Sequence, residues 1–162
     1  MKYTLIKADG RKVIMEGQVA PHISDYEASC HHCGKAILFE PTIQLFEKVR
    51  ELVGKPIPIN SFYRCVEKQD ELIRDGYKAA KTNPPHCTGA AMDLGIPKGY
   101  TARKLINAIK KAAKELGLPA PRIGSKAYGY AFVHVDLVFM LYEPYLKGKK
   151  NPAPAWVEGA EW

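Results

Sequence analysis

Long apolar runs are missing from this chain. Its most apolar stretch, residues 131–142, is interrupted by His134 and Asp136, well short of the ~18 uninterrupted residues that a membrane span needs. No leader is visible either. The first nine residues, MKYTLIKAD, alternate polar and apolar, whereas a secretory signal has a basic start followed by an apolar core. Synthesis in the cytoplasm is therefore expected, where the four cysteines would stay reduced. There is no internal repeat, no low-complexity tract and no Gly-rich loop after a strand-like stretch, which argues against nucleotide binding. Acidic residues are the scarcer charge: 17 Asp and Glu against 24 Lys and Arg, a net charge of +7. A surface this basic favours a polyanion such as nucleic acid, anionic lipid or an anionic cell wall.

What is present is ordinary globular composition, 46% apolar and 25% charged. The 162 residues suit a single domain and bury roughly two thirds of the unfolded surface. Residues 3–7 and 12–15 alternate around an Asp9-Gly10 turn, a hairpin signal. Residues 17–35 are irregular. Pro41 suits a helix start, Ile43, Phe46, Val49 and Val53 follow at helical spacing, and Gly54 stops the run. Residues 57–62 read as a strand, 66–80 as a helix weakened by Gly76, and 90–96 as a strand. Thr101 caps a further helix whose stripe is Leu105, Ile106, Ile109, Ala113 and Leu116, and 132–139 reads as the last strand. The expected architecture is α+β, with a small, mainly antiparallel sheet and flanking helices. The expected organisation is one domain: a hairpin over about 1–18, a core over about 22–146 and a surface tail over about 147–162.

Two segments carry chemistry. One is His86-Cys87-Thr88-Gly89-Ala90-Ala91-Met92-Asp93-Leu94; the other is Phe132-Val133-His134-Val135-Asp136-Leu137. Side chains alternate along a strand, so Ala91 shares a face with Asp93, and His134 with Asp136. Polar residues in apolar strands need partners, and a metal shared by His86, Asp93 and His134 would provide one. On spacing alone, a loop hydrogen-bonding pair plus a satisfied core histidine is a slightly better account. Cys87, beside His86, reads as an inert thiol rather than a nucleophile.

The order Asn60-Ser61-Phe62-Tyr63-Arg64-Cys65, His86-x-x-Gly89-x-Ala91-x-Asp93 and His134-x-Asp136 resembles the M15 family of zinc D,D-carboxypeptidases and L-alanyl-D-glutamate endopeptidases, in its phage endolysin-like branch. The match runs over roughly residues 22–138. The resemblance implies the zinc D,D-peptidase/hedgehog-like fold, and zinc ligation by His86, Asp93 and His134. It implies that Arg64 grips a substrate carboxylate, a role that suits a bidentate guanidinium. The implied partners are a peptidoglycan stem peptide and the anionic wall, reached after release from the cytoplasm by a monomeric enzyme, with no membrane association.

Two positions depart from the family pattern. Pro84 stands where the motif serine would be, and Ala131 where many members carry a catalytic acid. Asp136 is the nearest acidic substitute. It is either the general base or a carboxylate orienting a ligand histidine. Tyr128 and Tyr130 are candidate oxyanion donors, though packing or rim roles suit them better. The competing function is a zinc-containing wall-binding module without catalysis; a nucleic-acid-binding protein is the weaker third. The basic residues Lys147, Lys149 and Lys150 are candidates for wall attachment. Cys30-His31-His32-Cys33 holds one C-x-x-C with no matching second half. Free thiols with incidental histidines are therefore favoured over a second zinc site, in which Cys65 would be a further ligand, or a disulfide.

Overall fold

The computed structural model describes residues 1–80, 84–142 and 159–162. Lys147, Lys149 and Lys150 lie outside the described residues. The elements in chain order are β1 (Lys2–Ile6), β2 (Lys12–Glu16), α1 (Asp25–Ala28), β3 (Ile37–Phe39), α2 (Glu40–Val53), β4 (Ile59–Ser61), α3 (Val66–Arg74), β5 (Ala91–Gly95), α4 (Ala102–Glu115), β6 (Arg122–Gly124) and β7 (Phe132–Asp136). The architecture is α+β with flanking helices, as expected, and the strands form two small sheets, the N-terminal hairpin gaining a third strand. The first has the order β2-β1-β3, with β1 and β3 parallel. The second is antiparallel, in the order β4-β5-β7-β6. No helix among the described residues is long and apolar enough to cross a membrane.

The helices follow their apolar spacing. Leu45, Phe46, Val49 and Val53 bury one side of α2, and Gly54 closes it in the left-handed conformation at φ 66°. The Thr101 hydroxyl accepts the Lys104 N–H at 3.2 Å and caps α4, which buries Leu105, Ile109, Ala112 and Ala113. Leu116, expected on that stripe, is 39% exposed and stands at the C-cap, just past the helix. The two helices pack on each other. Their buried faces join Met92, Leu94, Val133, Val135 and Ile123 of the second sheet in one apolar core.

Two expected elements are shorter. α3 stops at Arg74 because Gly76 takes φ 81°, which ends the helical path. The last strand stops at Asp136, and Val138–Leu141 turns into a single 3-10 turn. The three-residue strands β3 and β6 and the short α1 carry too little periodicity to announce themselves in sequence. Gly89 joins the two sheets. At φ 73° its carbonyl accepts the Phe39 N–H of the first sheet at 3.0 Å. A Cβ there would lie 2.0 Å from the Ile37 carbonyl oxygen.

Candidate metal centre

Sheet register assembles the site. Asp93 on β5 pairs directly with His134 on β7, which pairs with Gly124 on β6; Ser61 on β4 pairs with Asp93. One row along, Ala91, Asp136 and Arg122 are partners. Directly opposed residues share a face, and residues two apart keep to it. Asp93, His134, Asp136 and Arg122 therefore stand together on one side. Met92, Leu94, Val133 and Val135 fill the core on the other. Ala91, fully buried, stands on the same face, paired with Asp136.

His86 arrives from outside the sheet, on the 3-10 turn Pro85–Thr88. Its Nδ1 lies 2.7 Å from the Phe62 carbonyl oxygen. That bond supplies the support absent at Pro84. A carbonyl only accepts, so Nδ1 carries the hydrogen and Nε2 keeps its lone pair. Burial lowers the His86 pKa and keeps the ring neutral. Nε2 faces Asp93 Oδ1 at 3.2 Å. Two acceptors face each other there, an arrangement that a cation between them relieves.

His134 lies between two carboxylates. Its Nδ1 is 2.8 Å from Asp93 Oδ1 and its Nε2 is 2.9 Å from Asp136 Oδ2. A neutral imidazole has one N–H and satisfies one of them. With Nε2–H donated to Asp136, the Nδ1 lone pair points to the same place as His86 Nε2. His86, Asp93 and His134 offer ligand atoms that all lie within 4.8 Å of one another. Arg64 holds the other oxygen of Asp93, Nη2 to Oδ2 at 3.1 Å. The donor set thus fits zinc: two imidazoles with lone pairs converging on one carboxylate oxygen, each ring fixed from behind by an acceptor.

The electrostatics of the metal-free cluster follow. Burial favours neutral His134, but the Asp136 and Asp93 carboxylates outweigh it and raise its pKa to about 9. Asp93 is held below the usual carboxylate range despite its burial, by His86 and His134. For His134 the folded pKa lies above the value of about 6.5 expected in the unfolded chain. Its contribution to stability is complete below about pH 6.5 and is lost as pH rises through about 9. Thermal denaturation of chelator-treated wild type and His134→Gln tests this. The wild-type advantage should shrink across that window; an advantage constant from pH 6 to pH 10 would contradict it.

The site opens on a cavity of about 1120 Å³. Arg64, Lys68, Lys78 and Arg122 are on its wall, and Asp93 supplies the only acidic side chain among the described lining residues. Arg64, expected to bind substrate, is partly engaged within the protein. Nε and Nη2 donate to Ser61 Oγ at 3.4 and 3.1 Å, and Nη1 donates to Gln69 Oε1 at 2.9 Å. Asp136 is fully buried. Its oxygens meet His134 Nε2, Arg122 Nε at 3.1 Å and the Val138 N–H at 3.3 Å. Tyr128 lines the cavity and stacks on Phe132 at 4.6 Å; Tyr130 lies outside it, half exposed at φ 60°.

Sequence reading missed Trp162. The Trp162 N–H donates to Ile123 O at 3.1 Å, and its carbonyl accepts the Ser125 N–H at 2.9 Å, which lays the residue along β6. The indole fills the space above Gly124, where a Cβ would lie 2.7 Å from the ring. It sits 5.0 Å from the Arg122 guanidinium and 5.8 Å from the His134 ring. A tryptophan in a Pro-rich tail carries no signal of this in sequence.

The same architecture occurs in a solved structure, the L-Ala D-Glu endopeptidase ChiX of Serratia marcescens. The two chains share a fold. The likeness has a TM-score of 0.55 at 18% identity, over 76% of this chain and 92% of that one. No protein-family model matches the sequence, and no curated protein matches it. The likeness is one of fold, and within that fold His86, Asp93 and His134 present a His-Asp-His set of metal-ligand atoms.

Proposed function

We propose that the chain is a zinc-dependent peptidase acting on the stem peptides of bacterial peptidoglycan, in an endolysin-type role. The observation that carries this is the convergence of the His86 and His134 lone pairs on Asp93 Oδ1 at the wall of a cationic cavity. His86 Nε2, Asp93 Oδ1 and His134 Nδ1 would hold the ion. Bound there, zinc supplies Lewis acidity to a peptide carbonyl and makes water a better nucleophile near neutral pH.

The chain's own residues do the rest. Phe62 O and Asp136 fix the two rings and their tautomers. Arg64 fixes the carboxylate of Asp93. Of the five guanidinium N–H groups, the four contacts to Ser61, Gln69 and Asp93 leave one on Nη1 for a substrate carboxylate. Arg122, Lys68 and Lys78 add positive charge to the wall. Stem peptides carry free carboxylates, so this charge favours them over neutral peptides.

Of the two roles open to Asp136, its full burial and its contact with His134 Nε2 favour orientation over proton transfer to substrate. Asp136→Asn should weaken zinc binding by about 10- to 100-fold, the usual cost of losing a carboxylate behind a ligand histidine. At saturating zinc, kcat should stay within a few-fold of wild type. A kcat loss of about 10²-fold or more with zinc retained would instead make Asp136 the base.

The deciding experiment incubates the protein with purified peptidoglycan, with and without a chelator, and assays new amino termini and released D-Ala. Chelator-sensitive cleavage is expected. The scarcity of acids on the described cavity wall favours the competing wall-binding module. Zinc bound at the site with no cleavage would refute the peptidase and favour that module.

A further inference from the structure

A second group of metal-ligating side chains lies apart from the His86 site. Cys30 and Cys33 come from the loop after α1, and Cys65 is the residue that opens α3. Their sulfurs all lie within 4.8 Å of one another. Cys30 Sγ and Cys65 Sγ are 3.5 Å apart, too far for a disulfide at about 2.05 Å. His32 Nδ1 is 3.4 Å from Cys65 Sγ. Tetrahedral zinc with Zn–S near 2.3 Å and Zn–N near 2.0 Å sets its ligand atoms about 3.5–3.8 Å apart. These separations are close to that spacing. His31, by contrast, turns away: its ring stacks on Tyr26 at 4.3 Å, and its Nε2 lies 3.1 Å from the Tyr26 carbonyl oxygen.

We propose that Cys30, Cys33 and Cys65 form a second, structural zinc site, with the exposed His32 beside Cys65 turning in as the fourth ligand when the ion binds. The backbone is already arranged for it. The Gly34 N–H donates to Cys30 O at 2.8 Å and the Cys30 N–H to Lys35 O at 2.8 Å, a tight loop that Gly34 completes at φ 69°. The Cys65 N–H donates to Cys30 Sγ at 3.3 Å. Binding would release the thiol protons to solvent and form one metal bond to each sulfur. Cys30 and Cys65 are buried, while Cys33 and His32 are exposed, so an ion has access from solvent. Four protein ligands leave no open position, which is the pattern of a structural rather than a catalytic site. The site would pin the loop to the residue following Arg64, fixing the arm that holds Asp93.

This proposal stands apart from the peptidase reading, and one experiment separates them. The reduced, metal-stripped full chain is titrated with cobalt(II), whose thiolate complexes absorb strongly in the near ultraviolet while imidazole–carboxylate sites do not. Wild type should show the thiolate band and bind a second equivalent. His86→Ala should keep the band and lose the other equivalent. Cys33→Ser, at an exposed position, should weaken the band, and the Cys33→Ser/Cys65→Ser double variant should lose it while keeping the equivalent bound at His86. Absence of the band from reduced wild type, or its persistence in a Cys33→Ser/Cys65→Ser double variant, overturns the proposal.

Discussion

Asp93→Asn should end peptidoglycan cleavage and metal binding together. Asp93 is the hub of the site: Oδ1 faces both His86 Nε2 and His134 Nδ1, and Oδ2 receives Arg64. The amide keeps the volume and loses the charge. It leaves the Arg64 guanidinium, 13% exposed, without its anion. It also removes the carboxylate that draws the two imidazoles together. Loss of metal-derived stabilisation is worth several kcal/mol, so kcat/KM should fall by about 10³-fold or more. The fold should persist, because the core face of β5 carries Met92 and Leu94 and is untouched. Zinc content by mass spectrometry, circular dichroism and the cleavage assay read the three consequences separately. Unchanged cleavage in a folded, zinc-free variant would refute the site.

The second large effect concerns stability. Gly89→Ala places a methyl 2.0 Å from the Ile37 carbonyl oxygen and 2.8 Å from the Leu38 Cα, both backbone atoms that cannot rotate away. The residue would also be held at φ 73°, which costs an alanine about 1 kcal/mol. The crossing between the sheets must open, at a cost above about 4 kcal/mol. For a chain of this size that lowers Tm by about 10 °C or more. Gly54→Ala is the control. Its φ of 66° is similar, yet nothing lies within 4 Å of the added Cβ. It should cost about 1 kcal/mol. Equal Tm losses in the two variants would show that conformation alone, not the close approach to β3, sets the effect.

Residues with a strong local signal were legible in sequence. The Gly54 stop, the Thr101 cap and the 3.6-residue stripes of α2 and α4 depend on neighbours in the chain. Alternation in β5 and β7 correctly separated Asp93, His134 and Asp136 from the apolar layer, and His86, Asp93 and His134 do converge. What escaped depends on distant partners. β3 and β6 are three residues each and are defined by what they pair with. Trp162 finds its place through Gly124. The sequence names Cys65 with Cys30 and Cys33 as a further ligand yet favours free thiols, because the approach of α3 to the preceding loop, which brings the three sulfurs together, is a tertiary contact. The position of Asp136 at His134 Nε2 likewise depends on which way the ring turns, a rotamer choice that sequence does not carry.

The placement of polar groups in the second sheet also bears on how the chain finds its register. Pairing of β5 with β7 sets Asp93 against His134 and Ala91 against Asp136. A slip of either strand by one residue would turn its charges into the apolar layer and its core residues toward water. Burying even one unpaired carboxylate costs more than several lost contacts among Met92, Leu94, Val133 and Val135 would. The charged row therefore acts during folding as a lock on strand alignment, before any ligand is present. Variants that make this face apolar would be expected to pair β5 and β7 in more than one way.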